Sequence, residues 1–194
     1  MYEEGNIDKM IRKAVEDCKT LQANGADGCL IQTVDVYYPS TDDTDYARVA
    51  GLSAVTARVR DAVGDSFIIG AQIMWNCITP SLAVCKAAGA DFTRCSVLTG
   101  KAESPYGMVW GDPLKVGEYR SRINAWKIGM LSEISGYHHA TQYNPDEIKA
   151  LAGASMRLGA DSSEVYDKEF ARNELLVNYL KEYGNFPVIV GGGT

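Results

Sequence analysis

The tripeptide Gly-Ala-Asp occurs three times, at Gly25-Ala26-Asp27, Gly89-Ala90-Asp91 and Gly159-Ala160-Asp161. Each copy follows a helical apolar pattern and precedes a run of strand formers. Glycine suits the left-handed backbone position that closes a helix, where a side chain would clash. The segments between the copies do not match residue for residue, so the junction marks one supersecondary unit used repeatedly rather than a solenoid. A chain punctuated in this way alternates helix and strand.

The pattern can be followed from end to end. Asn6 is placed to cap a helix from Ile7 to about Asn24, whose Ile7, Met10, Ile11, Ala14, Val15, Cys18 and Leu21 share one face. Gly28–Val36 is expected as the first strand. Tyr46–Val63 is expected as the second helix, with Tyr46, Val49, Leu52 and Val59 toward the core. Phe67–Trp75 is nearly continuous in apolar residues, as in a strand covered on both faces. Thr79-Pro80, Asp112-Pro113 and Asn144-Pro145 each place a capping residue before a proline at the first helical position. Asn144 and Glu147 also have capping-box spacing. Further strands are expected near Phe92–Leu98, Lys127–Ile134, Asp161–Tyr166 and Phe186–Val190. A last helix opens near Asp167, with Phe170, Leu175 and Leu176 on its core face.

No two-residue hairpin signal separates these strands, so they are expected to run parallel with crossover helices. An open doubly wound sheet competes with a TIM-type (β/α)8 barrel. No Gly-x-Gly-x-x-Gly follows the first strand and no P-loop occurs, which removes the best marker of a nucleotide-binding open sheet. The sequence therefore predicts one α/β domain over residues 1–194, an incomplete (β/α)8 barrel of about six strands and six helices. On this reading a strand before Asn6 and a strand–helix unit after Thr194 are missing. The exposed edges then favour a homo-oligomer.

Composition narrows the partners. The formal net charge is −6 and there is no basic run, which argues against nucleic acid. The five cysteines show no C-x-x-C and no metal-ligand spacing, so buried reduced thiols in a cytoplasmic protein are expected, with no metal and no cofactor site. No apolar run approaches a membrane span, and no signal peptide is read at the start.

In a barrel of this type the chemistry sits at the C-terminal ends of the strands. The polar candidates there are Gln32, Gln72, Asn76, Arg94, Ser96 and Thr99, with Thr33, Asp35, Cys77, Glu164 and Asp167 nearby. Arg94 interrupts an otherwise apolar strand. Its guanidinium serves either as half of a structural ion pair or as the holder of an anionic ligand. Glu133 ends an apolar strand, where burial raises a carboxyl pKa. It is read as a proton-transfer group or as a partner of Arg94. His138 and His139 are the two histidines, and His138 is read as general acid–base or as a solvated loop side chain. Gly191, Gly192 and Gly193 follow the last strand, where backbone N–H groups can cradle a phosphate or where a chain can simply be flexible. The loop Thr99–Gly111, with Met108, Val109 and Trp110, is long enough to be a lid or a packing segment. No Ser-His-Asp order supports a hydrolase triad, and no ligand cluster supports a metal-dependent lyase.

Several of these residues also carry a likeness. Gly70-Ala71-Gln72-Ile73-Met74-Trp75-Asn76-Cys77, the run Ala83–Gly100, Gly111-Asp112, Tyr119-Arg120-Ser121-Arg122 and Val190-Gly191-Gly192-Gly193 follow in order and spacing the motifs of the BtpA family, with its SgcQ-like members. From about Asp8 to Thr194 the sequence resembles that family. Asn76, Arg94, Thr99, Gly100 and His138 match its pattern. Gln32-Thr33 stand where the family has Glu-Asn. Gln72, Trp75, Cys77 and Ser96 replace other polar positions, Glu133 replaces an aspartate, and Val165-Tyr166-Asp167-Lys168 replaces a Ser-Gly-containing turn. The resemblance implies a ribulose-phosphate-binding type of barrel. It also implies either chemistry on a small phosphorylated, sugar- or nucleoside-like metabolite or a role in the biogenesis of photosystem I.

The residues and the likeness together lead to the expectation of a barrel that binds or converts a small anionic metabolite by acid–base chemistry. Glu133 and His138 would be catalytic. Gln32, Gln72, Asn76, Arg94, Ser96, Thr99 and Gly191–Gly193 would bind the ligand. The alternative is a non-catalytic assembly factor.

Overall fold

The computed structural model describes residues 6–34, 39–104, 107–136, 144–184 and 187–191. In order, the elements are α1 (Ile7–Ala23), β1 (Gly28–Gln32), α2 (Tyr46–Val63), β2 (Ile68–Gln72), α3 (Ile78–Ala88), β3 (Phe92–Cys95), β4 (Lys101–Ser104), β5 (Gly107–Trp110), α4 (Pro113–Arg122), β6 (Gly129–Ser135), α5 (Pro145–Arg157), β7 (Ser162–Tyr166), α6 (Phe170–Tyr183) and β8 (Val188–Gly191). Six strands form one parallel sheet in the order β1-β2-β3-β6-β7-β8. The sheet curls with its six helices into an incomplete (β/α) barrel, as the alternating pattern predicts.

The junctions explain the regularity. Gly25, Gly89 and Gly159 have φ of 88°, 72° and 87°. The alanine after each donates its N–H five residues back, Ala26 to Leu21, Ala90 to Cys85 and Ala160 to Ser155, which is the six-to-one bond of a Schellman cap. The aspartate then reaches the neighbouring strand. Asp91 Oδ2 accepts from Ile69 N at 2.8 Å, and Asp161 Oδ2 accepts from Met130 N at 2.8 Å. A fourth copy, unseen as a sequence repeat, closes α4. There Asn124 takes φ 51°, and Ala125 donates back to the Arg120 carbonyl.

Two buried clusters fill the space between sheet and helices. One joins Ile69, Ala71, Cys95 and Met130 to Cys18, Val59, Leu82, Cys85 and Val116. The other joins Ile134 and Val165 to Ile148, Ala152, Leu176 and Leu180. Between them runs a polar seam, Thr99 to Ser155 to Ser132, with oxygen–oxygen distances of 3.1 and 2.9 Å. Arg120, 3% exposed, ties the end of α4 to the strand-start end of the sheet. It donates to the carbonyls of Gly159 (2.8 Å), Ile128 (2.6 Å), Trp126 (3.3 Å) and Ala125 (3.2 Å), and it stacks on the Trp126 ring at 4.9 Å.

Several expectations need correction. β4 and β5 pair antiparallel, with two residues between them, where no hairpin was expected. Neither strand alternates clearly and the intervening Pro105-Tyr106 is not an Asn-Gly type turn signal. Thr79 is not a cap, because α3 starts at Ile78 after Cys77, which makes no side-chain cap bond. Asp42, from the preceding loop, supplies the missing acceptor by taking the Thr79 N–H at 2.9 Å. Tyr46 and Phe170 are 93% and 83% exposed rather than core. Each is the first residue of its helix and stands beyond the packed turns. Leu175 is also exposed, whereas Leu176 is fully buried, the consequence of a 100° step per residue. β1 and β3 end at Gln32 and Cys95, earlier than predicted.

Replacing Arg120 with methionine keeps the bulk and removes every carbonyl partner. Each buried charge-assisted bond contributes about 1.5–3 kcal/mol. Urea unfolding of Arg120→Met is expected to show a loss of about 3 kcal/mol, with the slope against urea unchanged.

Candidate functional site

Strand alternation sorts the predicted residues. Ile69 and Ala71 face the helices, so Gly70 and Gln72 face the barrel interior. By register the same inner surface holds Leu30 and Gln32 on β1, Phe92 and Arg94 on β3, Leu131 and Glu133 on β6, Ser162 and Glu164 on β7, and Ile189 and Gly191 on β8. Toward the strand starts this surface is apolar, with Leu30, Phe92 and Leu131. Toward the strand ends it is polar.

At its centre Arg94 bridges two carboxylates. Its Nη2 lies 2.8 Å from Glu133 Oε2 and its Nε 2.5 Å from Glu164 Oε2. The ion-pair reading of Arg94 is therefore realised within the chain, and with two partners. Glu133 is 3% exposed. Burial pushes its carboxyl up to about 7; Arg94 opposes the shift and the neighbouring Glu164 adds to it. Two glycines make room for the carboxylates. A Cβ on Gly136 would collide with Glu133 Oε1, and one on Gly191 would stand 3.0 Å from Glu164 Oε1.

Gln72 lies at the level of Arg94 on the adjacent strand. Its Nε2 donates to Trp75 O and to Ser96 Oγ, both at 3.2 Å, and Ser96 Oγ donates to Trp75 O at 3.0 Å. Asn76 is used by its own fold. Its Oδ1 accepts from Val97 N at 2.7 Å and its Nδ2 donates to Val97 O at 3.2 Å, which ties the β2 and β3 exits together. Thr99 points into the polar seam beneath α5, away from the inner surface. Gln32 is on the inner surface but exposed, at the edge strand. His138, Gly192 and Gly193, together with Asp35, lie outside the described residues. The hairpin covers one side of the strand ends, with Ala102 and Val109 packed on Met74, Trp75 and Val97. Trp110 is 66% exposed, with the Lys101 ammonium 5.5 Å from its ring centre. Among the described residues no group of three or more His, Cys, Asp or Glu is placed to hold a metal ion, and no helix is long and apolar enough to cross a membrane.

Glu164 was noted in the sequence but given no role. The junction repeat contains the missing signal. Gly-Ala-Asp-Phe-Thr-Arg and Gly-Ala-Asp-Ser-Ser-Glu place Arg94 and Glu164 at the same distance from their turns, hence on the same face of the sheet.

The fold and the inner cluster define an incomplete (β/α) barrel with ionisable side chains gathered at the strand ends. More particularly, the chain belongs to the BtpA family, whose model matches residues 1–194. An uncharacterised protein of Thermococcus kodakarensis is 30% identical over 194 residues, spanning 98% of this chain and 71% of its own length. The photosystem I biogenesis protein BtpA of Synechocystis is 25% identical over 158 residues, covering 81% of this chain and 54% of that protein. Among solved structures, N-acetylmannosamine-6-phosphate 2-epimerase from Clostridium perfringens superposes with a TM-score of 0.56 over 97% of this chain and 70% of that one. At 13% identity, that likeness is one of fold.

A carboxyl with a raised folded pKa destabilises the native state once it must ionise. Below about 4.5 Glu133 is protonated in both states and contributes nothing. Between 4.5 and 7 the folded state holds the extra proton, so stability falls as pH rises, and above 7 the whole penalty is present. The difference in unfolding free energy between wild type and Glu133→Gln should fall by up to ~1.4 kcal/mol per pH unit across that window. Urea midpoints at pH 5, 6, 7 and 8 measure it. Arg94→Ala leaves two buried carboxylates uncompensated and should cost about 3–5 kcal/mol at pH 8, and less at pH 5.

Proposed function

We propose that the strand-end face binds a small sugar- or nucleoside-like metabolite and moves a proton on it, with Glu133 as the proton-transfer group. The observation that carries this reading is a nearly buried carboxyl, pushed by burial up to about 7, that shares the Arg94 guanidinium with a second carboxylate. A general acid–base works best with its pKa near the working pH, and buried carboxyls shifted this far cluster at functional sites. Arg94 keeps Glu133 from rising further. It is a positioning residue on this reading, since it pairs with two of the chain's own glutamates. A substrate phosphate would then fall to the glycine run 191–193 that begins at the last residue of β8, and His138, three residues past β6, would supply the second proton-transfer group. The name of the Clostridium perfringens epimerase, an enzyme of a phosphorylated amino sugar, is compatible with this substrate class.

The test is hydrogen exchange. A panel of sugar phosphates incubated with the protein in D2O is followed by proton NMR. At least one member is expected to exchange a carbon-bound hydrogen, and Glu133→Gln is expected to slow that exchange by ~10²–10⁴-fold. No exchange and no thermal stabilisation by any member would sink the proposal.

A second reading, an assembly factor, rests on the exposed Trp110 of the hairpin and on the name of the Synechocystis relative. On that reading Trp110→Ser abolishes association with a partner and leaves sugar-phosphate effects unchanged; light scattering coupled to size exclusion reads the association.

A further inference from the structure

The Gln72 side chain is 1% exposed and its Oε1 has no hydrogen-bond partner among the described residues. Its orientation is fixed by chemistry. The opposite end of the amide faces the Trp75 carbonyl, which can only accept, and Ser96 Oγ, whose proton is already given to that carbonyl. Turning the amide over would set its oxygen against a carbonyl, so the nitrogen stays there and Oε1 stays the acceptor. A buried amide oxygen left without a donor costs free energy. Inward-facing on β2, it stands in register with Arg94 on a strand about 4.8 Å away. The charges on the same inner face are unbalanced in the same sense: two carboxylates against one guanidinium. An anion brought to this point would meet acceptors and an arginine that is already ion-paired.

We infer that Gln72 is a specificity-determining residue whose amide oxygen receives a hydroxyl or amine of the ligand, so that the ligand enters with its uncharged, donor-bearing end inward. This rests on the strand-end face being the ligand site. It adds a direction to that reading: any phosphate or carboxylate of the ligand faces outward. A deoxy analogue lacking the inward donor is rejected because it leaves the amide oxygen buried and unpaired.

The test uses crystals of the full chain soaked separately in glycerol, a neutral polyol, and in sodium phosphate. A glycerol hydroxyl is expected within about 3 Å of Gln72 Oε1, with phosphate absent from that position. Gln72→Met, which removes the acceptor, should lose the glycerol. Phosphate at that position overturns the inference. So does an Oε1 bonded only to protein or water in both soaks, and so does glycerol held equally by Gln72→Met. These outcomes are separable from the catalytic proposal. Glycerol bound at Gln72 with no hydrogen exchange on any substrate leaves the inference standing and removes the chemistry, while exchange without the glycerol contact does the reverse.

Discussion

Two buried or half-buried arginines hold the strand-start end of this barrel by the same contacts made twice. Arg60, on α2, donates to the carbonyl of Gly89 at 3.0 Å and of Phe67 at 2.9 Å, and pairs with Asp91 at 2.5 Å. Arg120, on α4, donates to the carbonyl of Gly159 and of Ile128 and stands 4.0 Å from Asp161. In each case one guanidinium takes the carbonyl of the left-handed glycine in the next junction, the carbonyl just before its own unit's strand, and the junction aspartate's neighbourhood. The aspartate meanwhile accepts from the adjacent strand's backbone. Helix end, strand start and neighbouring strand are thereby fixed together. Buried backbone groups must find partners, and here a few side chains supply them for several turns at once.

The opposite end of the sheet follows another rule. There the interior charge is two carboxylates to one arginine, and Glu133 is almost without solvent. Ion pairing at the strand starts is matched one guanidinium to one aspartate in each clamp, which favours a fixed structure. The mismatch at the strand ends makes protonation sensitive to small changes in surroundings. A fold of this kind can hold such a cluster because its backbone is set from the other end, by contacts that do not involve it.

Much of the architecture was legible because it is written in local chemistry. Gly89 and Gly159 announce helix ends, Asp112 and Asn144 cap helices as their sequences suggest, and the parallel order follows from the spacing of the units. What was not legible depends on partners distant in sequence. The cap of α3 comes from Asp42, 37 positions before the Thr79 it binds, so the Thr79-Pro80 signal misleads. Asn124 performs a glycine's task at the end of α4, and a search for glycine passes over it. The hairpin of β4 and β5 is held by packing on Met74, Trp75 and Val97, not by a turn signal of its own. At the site, Arg94 and Glu133 stood out because charged residues in apolar strands are expensive to bury. Glu164 did not, since Ser162 and Ser163 give its strand a polar look although both are buried.

The same distinction sorts the polar residues that the sequence gathered into one list. Asn76 and Ser96 satisfy backbone groups at the strand exits, and Thr99 belongs to the seam under α5. Their polarity is consumed by the fold. Glu133 and Gln72 are different: burial has made the carboxyl ready to hold or lose a proton, and the amide oxygen has been carried inside without a donor. Both features weaken the native state, and a chain under selection for stability alone is easily relieved of them by neutral or smaller side chains. They lie on one inward face near the strand ends, with β3 between their strands, at the end of the sheet opposite the arginine clamps.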